Sequence, residues 1–266
     1  ELGMQPWAYD ENGWPSGFAG GKLLEDIENH DKYLTCAIGE YDENALVSYI
    51  DTGDKLIRSK GGEDATYINV YEHYATSTAD VLNPQVTDKF IKLTHEEYKK
   101  RYGEEFSNKL KGFFTDEPQY YRWDTTYTDM IVKYFSEVYG EDIFEGLGLL
   151  FLNREGYREF RYKFWYGLHK LMLENHSKRV FEWCDKNGVE LTGHYVEETS
   201  LPGQMMCCGG VMPFYEYEHI PGIDYLGSNI DNEIGSKQIG SVCAQLGKDQ
   251  ILTETYGCCG WDVTPL

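Results

Sequence analysis

Two carboxylic acids stand at the ends of apolar runs, where acid–base chemistry could use them. In Gly112-Phe113-Phe114-Thr115-Asp116-Glu117-Pro118 an apolar stretch feeds directly into two acids and a proline. The residue before a proline is biased toward extended backbone, so Pro118 is expected to hold Glu117 extended and to fix its direction. In Ile251-Leu252-Thr253-Glu254-Thr255-Tyr256 a second apolar run delivers Glu254 near its C-terminal end, with aromatics beyond. Two carboxyl groups flanking one bond can divide its cleavage between them. One protonates the leaving oxygen, and the other attacks as a nucleophile or acts as a base for water; this is the usual machinery of glycoside hydrolysis. The plainer alternatives are an exposed acidic loop at 116–117 and, at Glu254, a structural acid held by a buried Arg or Tyr.

Other clusters could serve the same site. Gly193-His194-Tyr195-Val196-Glu197-Glu198 closes a third apolar run. His194, Glu197 and Glu198 could bind sugar hydroxyls, orient a catalytic carboxylate or ligate a cation; a lone histidine equally suits a structural hydrogen bond. The spacing is not that of the His-Glu-x-x-His zinc helix. Tyr9-Asp10-Glu11-Asn12-Gly13-Trp14-Pro15-Ser16-Gly17 places Asp10, Glu11 and Trp14 on a loop dense in turn formers. Acids beside an aromatic ring suit hydroxyl binding beneath a stacked sugar, and a tightly folded loop would look the same. His73 follows a strand-like stretch and could reach the pocket. Asp116, Tyr256 and Trp261 flank the two principal acids. The substrate-binding candidates are therefore Asp10, Glu11, Trp14, His73, Asp116, His194, Glu197, Glu198, Tyr256 and Trp261, around a catalytic pair Glu117 and Glu254. Met205-Met206-Cys207-Cys208 reads as packing.

These residues need elements to carry them. Strand-like runs alternate with helical stretches, which implies a parallel sheet with right-handed crossovers. Core strands are expected near residues 4, 80, 110, 190, 223 and 251. Helical spacing runs through Phe90, Leu93, Thr94, Glu97 and Tyr98, through Met130 to Val138, from Tyr157 to Asp185 and through Ile239 to Leu246, with Gly103, Gly140, Gly188 and Gly247 at or near the stops. Residues 33–78 break the alternation: 45–50 and 55–58 flank a Gly-containing turn and read as a β-hairpin, within an antiparallel insertion. A doubly wound open sheet would also fit. A (β/α)8 TIM barrel lacking its first and last strands is preferred, because chemically capable residues recur after most strands and in a barrel those ends meet on one face.

The 266 residues suit one domain, 1–266. The net charge of −21 repels phosphate backbones and anionic lipid, arguing against nucleic-acid and membrane-surface partners. No apolar stretch reaches 18 residues, so no membrane span is expected. The 22 Tyr and 6 Trp suit both packing and sugar binding. The seven Cys, odd in number and without zinc-ribbon spacing, read as free thiols, which favours a cytoplasmic setting although no natural N-terminus is visible.

The blocks Tyr9 to Gly21, Gly112 to Pro118, Thr192-Gly193-His194 with Glu197 and Glu198, and Glu254-Thr255-Tyr256-Gly257 with Gly260-Trp261 resemble the barrel of glycoside hydrolase family 106, the α-L-rhamnosidases. The Asp-Glu-x-Gly-Trp-Pro-Ser-Gly block carries most of the resemblance. It implies an inverting mechanism on α-L-rhamnosides, with Glu117 as general acid and Glu254 as base. It also implies a calcium requirement, met by acids such as Asp10, Glu11, Glu197 or Glu198. Relative to that family the outer barrel strands and accessory β-domains are missing, so the remainder of a parent chain is an expected partner, and residues 1–266 alone are expected to be poorly active. The rivals are a noncatalytic carbohydrate-binding barrel and a metal-dependent hydrolase. The latter needs convergent His ligands, and the seven His include no His-x-His pair.

Overall fold

The computed structural model describes residues 3–227 and 233–261. Its strands are β1 (Trp7–Tyr9), β2 (His30–Gly39), β3 (Val47–Asp51), β4 (Leu56–Ser59), β5 (Tyr67–Ala79), β6 (Gly112–Asp116), β7 (Thr125–Tyr127), β8 (Glu190–His194), β9 (Ile220–Tyr225) and β10 (Leu252–Thr255). They form two five-stranded sheets. One is a parallel half-barrel in the order β1-β6-β8-β9-β10, and the other is antiparallel in the order β4-β3-β5-β2-β7.

This corrects the expectation of a (β/α)8 TIM barrel short of two strands. Of the six strands expected, the one near residue 80 does not exist. The Asp80 carboxylate accepts the Leu82 N–H at 3.0 Å, folding Asp80-Val81-Leu82 into a turn. Asn83 then caps the helix Pro84–Leu93, with Pro84 in the first turn, where a missing N–H costs nothing. With that segment diverted, β1 pairs directly with β6, Trp7 opposite Gly112 and Tyr9 opposite Phe114, leaving no place for a strand between them. The expected hairpin is present, with β3 paired antiparallel to β4 across the turn at 52–55, but it is one edge of a larger sheet. The long pair β2–β5 forms the spine of a full sheet, which also recruits β7 from beyond β6.

The expected helix through residues 90–98 is two helices, Pro84–Leu93 and His95–Tyr102. They part at Thr94, whose hydroxyl bonds back to the Phe90 carbonyl at 2.8 Å, a contact that bends helices. Asp129–Tyr134 continues through a π-helical turn to Gly140, whose φ of 67° is the left-handed stop that glycine adopts without strain. Tyr157–Met172 runs through a second π-helical turn into Lys178–Lys186. Ile234–Leu246 ends at Gly247.

Side chains alternate across a strand, and the core shows which face is which. Ala8, Phe113 and Leu191 pack with Phe90, Phe106, Val180 and Cys184 in one core cluster. Tyr9, Phe114, Asp116 and His194 therefore share the opposite face of the sheet. A second cluster joins Leu34, Tyr49, Ile68 and Val70 of the antiparallel sheet to Ile131, Phe135, Phe164 and Leu168, and continues to Tyr195, Phe214 and Ile223. It fastens the antiparallel sheet to the loops after β8. No helix among the described residues is long and apolar enough to cross a membrane, and all seven cysteines are free.

One glycine sets how closely β6 and β8 approach. A Cβ at Gly193 would lie 2.1 Å from the Thr115 carbonyl oxygen on β6. Gly193→Ala must push β8 from β6, immediately before His194. It is expected to cost about 1–3 kcal/mol, the usual penalty for overpacking. The reading is a lowered urea midpoint with unchanged slope; an unmoved midpoint would show that the strands part freely.

Candidate active site

The loop after β1 is built around its own acids. Glu11 turns inward and accepts the backbone N–H groups of Gly17, Phe18 (3.1 Å) and Gly20 (2.7 Å). Asp10 is fully buried and accepts the Ser16 hydroxyl at 2.7 Å. Ser16 bonds through its N–H to the Asp116 carbonyl at 2.7 Å and through its hydroxyl oxygen to the Asp116 N–H at 2.8 Å. The loop is thus stitched to the end of β6. It presents Trp14 outward, and the indole N–H donates to Glu117 at 2.8 Å.

Four strand ends converge on His194. In register, Asp116 stands opposite His194, and Asp224 opposite Glu254. The imidazole Nε2 lies 3.0 Å from a Glu254 oxygen and 3.5 Å from Asp116, and its Nδ1 lies 3.9 Å from Glu117. Tyr9 donates its hydroxyl to Asp116, and Phe114 meets the imidazole edge-on at 5.6 Å. Because Glu117 and Glu254 stand on the two nitrogens of one ring, their facing oxygens are within roughly 9 Å of each other, the two contacts plus the span of the imidazole. That bound lies under the roughly 9.5 Å upper end for an inverting acid–base pair across one glycosidic bond.

Glu117 is not extended, contrary to the effect expected of Pro118. Its φ is 47°, on the left-handed side, where a non-glycine residue is strained. Its N–H donates to the His194 carbonyl at 3.2 Å, so the chain crosses toward β8 as it leaves β6. This turn brings the Glu117 carboxyl toward Trp14 and His194. Burial pushes its pKa up; His194 and the indole N–H oppose that shift, and Asp116 and Asp224 add to it. A carboxyl kept protonated above its ordinary range is what a general acid requires.

A cleft of about 680 Å³ opens beside this cluster, lined by Trp14, Glu117, Arg122, Glu197, Glu198, Asp224 and their neighbours. Glu197, at φ 61°, lies 3.8 Å from Arg122. Glu198 is buried and fully engaged: it accepts from the Tyr215 hydroxyl at 2.9 Å, the Asp224 N–H at 2.9 Å and the Tyr195 N–H at 3.2 Å. It ties the loop after β8 to β9 and so sets where Asp224 sits. One Asp224 oxygen is buried without a hydrogen-bond partner.

Burial lifts the carboxyl of Asp10 to about 8 and that of Glu198 to about 7, and it raises Asp31 and Asp80 as well. Acids raised on folding bind more protons in the folded than in the unfolded chain between their ordinary values near 4 and these raised ones. Stability therefore falls as pH rises through that window. The melting temperature is expected to be lower at pH 8 than at pH 5; a rise or a flat profile would contradict the burial of these acids without a countercharge that outweighs it.

The remaining candidates lie elsewhere. His73, in the antiparallel sheet, bonds to Thr35 at 2.8 Å, stacks on Tyr33 and does not line the cleft. Tyr256 and Trp261 are exposed beyond β10. The acids considered for calcium do not gather into one oxygen cage: Glu11 binds its own loop, Asp10 binds Ser16, Glu198 is engaged on β9 and Glu197 faces Arg122. Calcium needs six to eight converging oxygens, which these four acids do not supply together. Asp224 and Arg122 were missed from sequence. Both had a signal: an acid at the end of the run Ile220 to Tyr225, and an arginine among aromatics five residues after Glu117.

No family model and no curated sequence matches the chain. Among solved structures, the fold is similar to that of a rhamnosidase from Novosphingobium sp. PP1Y, with a TM-score of 0.55 and 16% sequence identity over 73% of this chain and 20% of that one. The chain spans about a fifth of that structure's length. At this identity the likeness shows a shared fold, one that a glycosidase uses.

Proposed function

We propose that this chain carries the acid–base centre of a glycoside hydrolase. The observation that supports it most is the placement of Glu117 and Glu254 on opposite nitrogens of His194, with Glu117 itself lining an open cleft. Glu117 is the general acid: burial favours its protonated form, and Trp14 fixes its direction. It gives its proton to the glycosidic oxygen as the bond to the sugar breaks. Glu254, with its side chain 43% exposed, has access to water and is the base that takes a proton from the attacking molecule. His194 holds the two apart, Asp116 and Tyr9 brace the imidazole, and Trp14 offers a ring for a sugar face. The motifs quoted from the sequence favour family 106, and with it an α-L-rhamnoside substrate and inversion of configuration.

The test is a panel of aryl glycosides, α-L-rhamnoside first, offered to the protein that contains this chain. Release of the aryl group from one of them is expected. Retained sugar binding without any turnover would instead support the noncatalytic carbohydrate-binding reading. A metal-dependent hydrolase is favoured by one observation: single ligand atoms of Asp116, His194 and Glu254 lie within 4.8 Å of one another. A tightly held transition metal, with activity lost on chelation and restored by that metal, would decide for it.

A further inference from the structure

The cleft is lined by carboxylates, Glu117, Glu197, Glu198 and Asp224, and among its described lining residues one is basic, Arg122. This arginine is held in place: its guanidinium carbon lies 4.3 Å from the Trp123 ring centre and 5.4 Å from that of Trp14, and its side chain is 15% exposed. It is nonetheless incompletely paired. The Cys207 thiol is a neutral neighbour of the guanidinium, Glu197, 3.8 Å away, is beyond hydrogen-bonding distance, and the buried Nε has no hydrogen-bond partner. A planar guanidinium presents a fork of N–H donors that matches an oxyanion. Stacking on two indoles has already fixed the orientation of this one, so little freedom is lost when an acceptor arrives.

We propose that Arg122 binds an oxyanion carried by the substrate, a carboxylate or a sulfate ester on a sugar, and that the cleft therefore takes an acidic glycan. Trp14 fixes which part of the glycan is read: it stacks under Arg122 while its indole N–H reaches Glu117, so the charged group belongs to a sugar next to the bond being cut. The chain as a whole carries a net charge of −21 and repels such a substrate, a repulsion that a local cation in the cleft offsets. This inference rests on the glycosidase reading above.

The test is calorimetric titration of the protein containing this chain, disabled by Glu117→Gln, with three α-L-rhamnosyl disaccharides. Their second sugar is glucuronate, glucose 6-sulfate or glucose. At least one charged disaccharide is expected to bind about tenfold or more tightly than the neutral one, the gain of a charge-assisted hydrogen bond. Which of them does so separates carboxylate from sulfate. Arg122→Gln should remove that preference, read as the ratio of charged to neutral affinities within the variant, whatever its absolute affinity for the glucose disaccharide. Arg122→Lys, which keeps the charge without the fork, should retain part of it and stands in if the Gln variant does not fold. Equal affinity for all three overturns the role of Arg122 and leaves the glycosidase reading intact. A preference that survives Arg122→Gln also overturns it. Binding of none overturns the α-L-rhamnoside substrate and this inference together, and the aryl glycoside panel then decides the glycosidase reading separately.

Discussion

Glu117→Gln is expected to lower turnover of an unactivated glycoside by at least about 10²-fold, the low end of what a positioned acid or base supplies. The substitution keeps the shape of the side chain and can still accept the Trp14 indole N–H, so the loss isolates the proton. The decisive comparison is between leaving groups. An aryl group that departs easily needs little protonation, so a good aryl glycoside should lose far less rate than an alkyl one. The pH profile should change as well. Without the substitution the rate should fall as pH rises through the pKa of Glu117, which burial has lifted; in the variant that alkaline limb should disappear. Equal losses on both substrates, with the limb retained, would assign the acid role elsewhere.

Glu254→Gln should be the mirror of this. A base acts on water whatever the leaving group, so alkyl and aryl glycosides should both lose at least about 10²-fold. His194 keeps its contact with the amide oxygen or nitrogen, so the variant should melt close to the parent. Asp224 complicates the assignment in a useful way. It stands opposite Glu254 in register and has an oxygen without a partner. If Glu254→Gln retained most activity while Asp224→Asn abolished it, the base would be Asp224 and the pair would shift by one strand.

How much of this the sequence revealed varies with the physics behind each feature. Helix stops at Gly140, Asn187-Gly188 and Gly247 were legible because the left-handed turn at a helix end selects glycine locally. The strand ends bearing Asp116, His194 and Glu254 were legible because an apolar run followed by acids is a local pattern. The architecture was not. Whether Asp80-Val81-Leu82 is a strand or a turn depends on one carboxylate folding back onto the Leu82 N–H, and on β6 being free to pair with β1. Both are tertiary outcomes that hydrophobic alternation does not encode. In the site, Glu11 looked like a ligand for substrate or cation, yet its carboxylate is taken up by three backbone N–H groups of its own loop. The left-handed backbone of Glu117 goes against the preference of a residue before proline. It is maintained by the N–H bond to His194 and the indole bond from Trp14, two long-range contacts. Local rules broken under tertiary constraint mark places where the fold holds a side chain in a costly geometry.

Glu117 and Glu254 are proposed to cut a glycosidic bond from opposite sides. The most direct test is proton NMR of the first minutes of hydrolysis of an aryl α-L-rhamnoside by the protein that contains this chain. The β-anomer of rhamnose should appear first, with the α-anomer following only as mutarotation proceeds. Appearance of the α-anomer first would contradict the acid–base pairing with water between, and release of no sugar from any glycoside of the panel would contradict the glycosidase reading itself.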